Sequence, residues 1–325
     1  MSYQKETYVR IKAEFSKKYL EAQRRAQMRR AELHAQLPEV AELDRRLSMT
    51  GMEIMDALTS GGNTEAKLAE VKVRNEQLQR ERAKILRANG YDENYSDVHY
   101  ECEKCGDSGY LEHGMCDCMK RALTEAGYEA SGLGGLIRTQ SFENFSLDYY
   151  TSTVESRERI ERSVLSLRRF AEQFEEDTYK NFLLVGGTGL GKTHLSTAMA
   201  KTIIDRGHDV LYVTALGMLG DFEAKRFGDG VGVRNDPMRY TDAQVLIIDD
   251  LGTEVNNQFT TACLYDVINH RINQRKTTVI NTNLSVRDIE ARYGERIASR
   301  ILGEYVPILF EGKDVRRQKI FGKKK

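Results

Sequence analysis

The stretch Gly186-Gly187-Thr188-Gly189-Leu190-Gly191-Lys192-Thr193, GGTGLGKT, lies directly behind the apolar run Asn181-Phe182-Leu183-Leu184-Val185 and ahead of a helix-forming stretch over 194–204. A strand that delivers a glycine loop to a helix N-terminus is the setting in which a P-loop works, because consecutive backbone N–H groups turn inward on phosphate oxygens. In this reading Gly186, Gly187, Thr188, Gly189, Leu190 and Gly191 form the cradle, Lys192 reaches the β- and γ-phosphates, and the Thr193 hydroxyl holds Mg²⁺. A chance glycine-rich turn would account for the letters but not for the strand and helix on either side of them. The chain is therefore expected to bind a nucleoside triphosphate.

Working outward, Val245-Leu246-Ile247-Ile248-Asp249-Asp250 reads as a buried strand ending in two carboxylates. Acidic residues commonly follow strands, so the pair is weak alone; downstream of a P-loop it takes the form of a Walker B motif, with Asp249 on Mg²⁺ and Asp250 orienting the attacking water. The strand Thr277–Asn283 ends in polar residues where a group facing the γ-phosphate is needed. Because side chains alternate along a strand, one of its two asparagines is expected to face the site, Asn283 first and Asn281 second. The helix-forming stretch Gly294-Glu295-Arg296-Ile297-Ala298-Ser299-Arg300 carries two arginines four residues apart, hence on one face. Such arginines are usually solvated, but in this company they suggest a group that reaches a neighbouring subunit's γ-phosphate.

Apolar runs at 181–185, 210–213, 245–248, 278–280 and 306–310 alternate with helical stretches, which predicts a mostly parallel sheet covered on both faces. The 325 residues suffice for two domains or for one large domain with an appendage. No run has the length of an apolar membrane span and the N-terminus lacks the core of a signal peptide, so a cytoplasmic location with no membrane partner is expected. The 49 basic and 49 acidic residues cancel overall, yet both ends of the chain are basic and residues 91–150 are acidic. Solvated helix faces and tails explain such runs more often than nucleic acid does, and the basic ends remain candidates for phosphate-backbone contact.

Residues 1–90 are rich in helix formers. Val40, Leu43, Leu47, Ile54 and Leu58, then Leu68, Val71, Leu78 and Ile85, predict a helical hairpin folded at Gly61-Gly62, with Thr50, Asn75 and Arg82 as polar exceptions in the stripes. It could be a structural spacer or a partner-docking arm. Next come Cys102-x-x-Cys105 and Cys116-x-Cys118, four of the five cysteines within seventeen residues. Two close pairs on a glycine-containing hairpin point to structural Zn²⁺ with four thiolates, an iron–sulfur cluster or redox pair being the alternative. His113 lies between the pairs and could replace one thiolate. Cys263, alone on an apolar helix face, reads as a small buried hydrophobe.

LIIDDLGTE (246–254), INTNLS (280–285) and GERIASRI (294–301) resemble the AAA+ ATPases of the DnaC/DnaI bacterial helicase-loader type, with the IstB transposition helpers as relatives. ILRANGYDENYSDVHYECEKCGDSGYLEHGMCDCMK (85–120) and SFENFSLDYY (141–150) are similar to the zinc-bearing part of DnaI-like loaders. The resemblance covers roughly 85–322. It implies a zinc module and connector over 91–135 and an AAA+ P-loop domain with a parallel sheet and no separate helical lid over 136–325, while the first eighty residues are family-like in being helical and charged and the helical, coiled-coil-like region over 1–90 is expected to be a partner-docking region. By position it makes Lys192 and Thr193 the Walker A pair, Asp249 and Asp250 Walker B, Asn283 sensor 1, and Arg300 the arginine finger with Arg296 beside it. Arg316 is the residue left to replace a lid arginine, in what is expected to be one strand and a basic tail after Arg300. The stretch 215–240 occupies the place of a helical insertion that steers subunits into a spiral and contacts single-stranded DNA.

The function this implies is an Mg²⁺-dependent ATPase, self-assembling on its partner, that loads a hexameric replicative helicase onto single-stranded DNA. An IstB-like transposition helper and a nucleotide-switched adaptor that binds no DNA are the rivals. The cysteine module favours the loader.

Overall fold

The computed structural model describes residues 5–59, 64–150, 153–227 and 236–321. The chain divides into two compact units, one comprising Arg10–Met119 and the other Lys120–Lys325 with the first nine residues.

The first unit is built on three long helices, α1 (Lys5–Gln36), α2 (Pro38–Thr59) and α3 (Thr64–Ala88). Buried Ile11, Phe15, Ala22, Ala26 and Leu33 recur along one face of α1 at steps of four and seven. Pro38 opens α2, where its missing N–H costs nothing. α2 and α3 pack against each other as the expected hairpin, although the glycines of its turn lie outside the described residues. The polar exceptions in the stripes are paired: Asn75 donates to the Thr50 hydroxyl at 2.7 Å, and Arg82 donates to Asp44 at 2.6 Å and to the Ser96 hydroxyl at 2.7 Å. Beyond α3 a short antiparallel hairpin, β1 (Tyr110–Leu111) and β2 (Gly114–Met115), separates the two cysteine pairs.

The second unit contains a five-stranded, all-parallel sheet: β3 (Asn181–Gly186), β4 (Val210–Thr214), β5 (Val245–Leu251), β6 (Thr277–Thr282) and β7 (Tyr305–Phe310), in the order β4-β5-β6-β3-β7. Alternate residues feed two cores. Phe182, Leu184, Ile247 and Val279 pack on one face with α6 (Val154–Glu172) and α7 (Lys192–Asp205). Leu183, Leu246, Ile248 and Ile280 pack on the other with α8 (Ala215–Phe227), α10 (Gln258–Asn273) and α12 (Glu295–Glu304). Burial on both faces is why these strands read as continuous apolar runs. The remaining helices are α4 (Asp117–Ala130), α5 (Leu136–Thr139), α9 (Met238–Asp242), α11 (Val286–Tyr293) and α13 (Val315–Phe321). Of the 215–240 insertion, α8 and the start of α9 are described and residues 228–235 lie outside the described residues.

One buried charge braces the sheet. Arg271 on α10, with no exposed surface, donates to the carbonyls of Tyr240, Ala243, Gln244 and Thr277 and to the Thr278 hydroxyl. Burial pulls its guanidinium down to about 10, while five acceptors keep every N–H direction occupied. After β7 the basic tail is not featureless, since α13 forms there and docks on the P-loop through Val315 N–H to Gly189 O at 2.9 Å.

Candidate functional site

The P-loop lies between β3 and α7, at the carboxyl ends of the strands. Gly189 and Gly191 take φ of 77° and 86°, the left-handed region that glycine reaches without a Cβ penalty. Space is short as well: a Cβ on Gly189 would run into the Asp314 carboxylate, and one on Gly191 would sit 2.8 Å from the Tyr150 hydroxyl, so those side chains would have to shift. Tyr150 in turn donates to Leu190 O at 2.5 Å, and Asp314 caps α13 by accepting from Arg316 N–H at 2.8 Å. The loop is thus gripped from both sides. A cleft of about 450 Å³ opens on it, lined on its phosphate side by Thr188, Lys192, Thr193, Asp249, Asp250 and Asn283.

Lys192 is 6% exposed, and its ammonium donates to Gly186 O at 2.6 Å, Gly187 O at 2.8 Å and Asn283 Oδ1 at 2.6 Å. Burial lowers its pKa, and the Asp249 and Asp250 carboxylates oppose that shift. Thr193 Oγ1 donates to Asp249 Oδ2 at 3.0 Å, so the two hard oxygens proposed for Mg²⁺ already face one another, a donor set that fits this ion. Asp249 also accepts from the Tyr212 hydroxyl at 2.6 Å, from Asn281 Nδ2 at 2.8 Å and from Asp250 N–H at 3.0 Å.

Two consecutive carboxylates on a regular strand would point to opposite faces, yet both Asp249 and Asp250 line the cleft. The β5–β6 register shifts between Ile248 and Leu251, and Asp250 adopts a left-handed φ of 53°. This irregularity re-aims the second carboxylate, and a left-handed non-glycine residue stores backbone strain of order 1–3 kcal/mol. Burial, then the neighbouring Asp249, raise the Asp250 pKa, while Lys192 and Arg316 pull it back.

Asn283, just past the end of β6, lines the cleft and Asn281 does not, but alternation is not the reason for the difference. Positions i and i+2 share a strand face, so Asn281 and Asn283 point the same way at different depths. Asn283 is exposed in the cleft, bonded to Lys192 and, at 3.5 Å, to Thr188 Oγ1. Asn281 is wholly buried behind it, donating to Asp249 Oδ1 at 2.8 Å and Ser196 Oγ at 2.9 Å. Arg296 and Arg300 share a face of α12 and do not line this cleft, whereas Arg316 does. The cleft is also lined by Leu136, Gln140, Lys319 and His194; burial lowers the pKa of His194, whose Nε2 bonds Ser141 O at 2.9 Å. Tyr212, Tyr150, Asp314 and Ser196 had no signal in the sequence, being ordinary polar residues in apolar or loop stretches.

In the other unit, the Sγ atoms of Cys102, Cys105, Cys116 and Cys118 all lie within 4.8 Å of one another, with Cys102–Cys116 at 3.9 Å and Cys105–Cys118 at 3.5 Å. A tetrahedron with Zn–S bonds of about 2.3 Å has sulfur–sulfur edges of about 3.8 Å, so the cluster fits a four-thiolate zinc ion. His113 is exposed and outside the cluster. A backbone hydrogen bond from Cys105 pulls the Cys102 thiol down to about 7, and burial pushes Cys118 up. The knuckle is held by Asp107, a residue the sequence did not single out. It is 2% exposed and accepts from Cys102 N–H at 2.7 Å and Glu101 N–H at 2.9 Å. Cys263 is buried, as expected.

Parallel sheet, P-loop, paired carboxylates and strand-end asparagine together define an AAA+ P-loop nucleotide-binding protein. The chain belongs to the IstB-like ATP binding protein family, which it matches over residues 137–306. It is 25% identical over 195 residues to the replicative helicase loader DnaC of Buchnera aphidicola subsp. Baizongia pistaciae, covering 59% of the present chain and 75% of that protein. It is 22% identical over 219 residues to the replicative helicase loader DnaC of Escherichia coli (strain K12), covering 67% and 85% respectively. A crystal structure of the DnaC helicase loader aligns with a TM-score of 0.44 and 28% identity, over 52% of this chain and 98% of that one. Among the described residues no helix is long and apolar enough to cross a membrane.

Proposed function

We propose that this protein is an ATPase that loads a hexameric replicative helicase onto single-stranded DNA. The observation that carries the proposal is the coincidence of an intact phosphate cleft, with Lys192, Thr193, Asp249, Asp250 and Asn283 around one cavity, and similarity to loaders over three quarters or more of their length. In this reading Lys192 binds the β- and γ-phosphates. Thr193 and Asp249 would hold Mg²⁺, which supplies charge neutralisation of the phosphates when bound. Asp250, re-aimed into the cleft, orients the attacking water, and Asn283 senses the γ-phosphate. Arg300, with Arg296 beside it, serves the pocket of a neighbouring copy, in keeping with its position away from its own cleft. Residues 1–90 dock the helicase, 91–135 form a zinc-stiffened module, and 136–325 form the ATPase domain.

The family is shared with IstB-like proteins, so a transposition helper is the rival. The four-cysteine cluster, which fits structural zinc, favours the loader. Affinity capture from a native extract with ATP present separates them. A replicative helicase among the captured proteins supports the loader, a transposase supports the rival, and neither would leave an adaptor role.

A further inference from the structure

The carboxylate of Glu254 is enclosed beside the strand ends, its side chain 1% exposed, and none of the roles above uses it. It lies four residues beyond Asp250, in the loop that leaves β5. Its Oε2 accepts from Gly252 N–H at 2.9 Å. Its Oε1 accepts from the buried Tyr293 hydroxyl and from Arg292 Nε at 3.3 Å, and Arg292 also donates to the Glu254 carbonyl. Asn256 closes the contact by donating to Arg292 O. Burying a carboxylate costs several kcal/mol unless its lone pairs are occupied, and a well-packed apolar residue often does as well for stability alone. A site that nonetheless carries a fully satisfied buried carboxylate is one where a defined geometry matters.

What this carboxylate joins is informative. Tyr293 and Arg292 are the last residues of α11, whose first turn is capped by Ser285, two residues after Asn283. Gly294 then turns the chain into α12, which carries Arg296 and Arg300. The start of α11 is therefore tied to the strand end that holds Asn283, and Glu254 ties its far end to the loop behind Asp249 and Asp250. Thr282 Oγ1, bonded to Leu251 O at 2.6 Å, links the two strand ends directly.

From this geometry we infer that Glu254 is a positioning residue: by clamping the end of α11 to the loop behind Asp249 and Asp250, it sets the orientation in which α12 offers Arg296 and Arg300 to a neighbouring copy. The inference rests on the proposed action of those arginines in trans. It assigns Glu254 an effect on turnover between subunits and none on nucleotide binding within one.

The test uses the full-length protein and three variants, Glu254→Gln, Tyr293→Phe and Arg300→Ala. ATP turnover is measured over a range of protein concentrations, ATP affinity with a fluorescent ATP analogue at low concentration, and amide hydrogen exchange over 286–304 and over 192–205. Glu254→Gln is expected to lower concentration-dependent turnover at least tenfold and to speed exchange over 286–304, with affinity changed less than twofold and exchange over 192–205 unchanged. Tyr293→Phe keeps the ring and loses one hydroxyl, so it should show the same pattern more weakly, and it decides the matter if Glu254→Gln does not fold. Weakened ATP affinity in step with turnover, or unchanged turnover despite faster exchange, overturns the positioning role. If Arg300→Ala alone leaves turnover unaltered, the reading of the arginines fails and takes the inference with it, whereas loss with Arg300→Ala but not with the other two variants sinks only the inference.

Discussion

Replacing Asn281 and Asn283 separately with alanine tests how the structure divides their labour. Asn281 is wholly buried, and Asn281→Ala removes one hydrogen bond to the Asp249 carboxylate and one to the Ser196 hydroxyl. Bonds to charged groups contribute about 1.5–3 kcal/mol and neutral ones about 1 kcal/mol. Against this, Asn281 Oδ1 has no partner among the described residues, and removing an unpaired buried acceptor returns about 1–2 kcal/mol. The net loss is roughly 0.5–3 kcal/mol, and at about 2–4 °C per kcal/mol for a domain of this size the melting temperature should fall by about 1–12 °C. Asn283 is exposed, so its bond to the Lys192 ammonium is screened and replaceable by water, and Asn283→Ala should change stability by only about 0.5 kcal/mol, while removing the group proposed to face the γ-phosphate. Differential scanning fluorimetry without nucleotide and a steady-state phosphate-release assay read the two effects. Asn283→Ala is expected to melt within about 2 °C of the parent and to lose most of its turnover. If it melted as early as Asn281→Ala, or if Asn281→Ala lost turnover at full stability, the assignment of one asparagine to support and the other to the phosphate would be wrong.

Lys192→Ala should abolish ATP binding in equilibrium titration, whereas Asp250→Asn should retain binding and lose hydrolysis, because in the proposed roles one residue holds phosphate in the ground state and the other acts on the water. The Asp250 pKa is raised by burial and Asp249 and lowered by Lys192 and Arg316, so the acid limb of turnover should lie above the ordinary aspartate value. Arg316→Ala removes a group that favours the carboxylate and should move that limb to still higher pH; a shift to lower pH would contradict the assignment. Cys105→Ser should lose zinc, as measured by metal analysis, and unfold the module, since metal binding to such sites supplies on the order of 10–16 kcal/mol, while ATP binding persists. Iron in place of zinc in the anaerobically purified parent would overturn the metal assignment. Binding to single-stranded DNA should weaken steeply as salt rises, because phosphate contacts release counterions, and a flat salt response would argue against it.

Much of this protein is local in origin and so could be read along the chain. The P-loop announces itself because Gly189 and Gly191 need a left-handed backbone, and helix α7 must begin at Lys192 for its N-terminus to meet the phosphates. The five strands were legible because burial on both faces demands unbroken apolar runs. The cysteine cluster was legible because two close pairs across a hairpin are joined by only ten residues.

Other features depend on segments far apart in sequence, and only the folded chain decided them. Which asparagine supports Asp249 and which faces the cleft depends on depth along β6, a quantity that alternation cannot supply because both residues share a face. That Asp250 enters the cleft beside Asp249 depends on a shift in register against β6. Tyr212 reaches Asp249 from a neighbouring strand, Asp314 reaches Gly189 from the end of the chain, and Glu254 meets Arg292 and Tyr293 across 38 and 39 residues. Sequence patterns report the constraints a residue obeys within its own element. The partners of Tyr212, Asp314 and Glu254 arrive through sheet order and helix docking, so the physical reason for each exists only once the tertiary structure has formed.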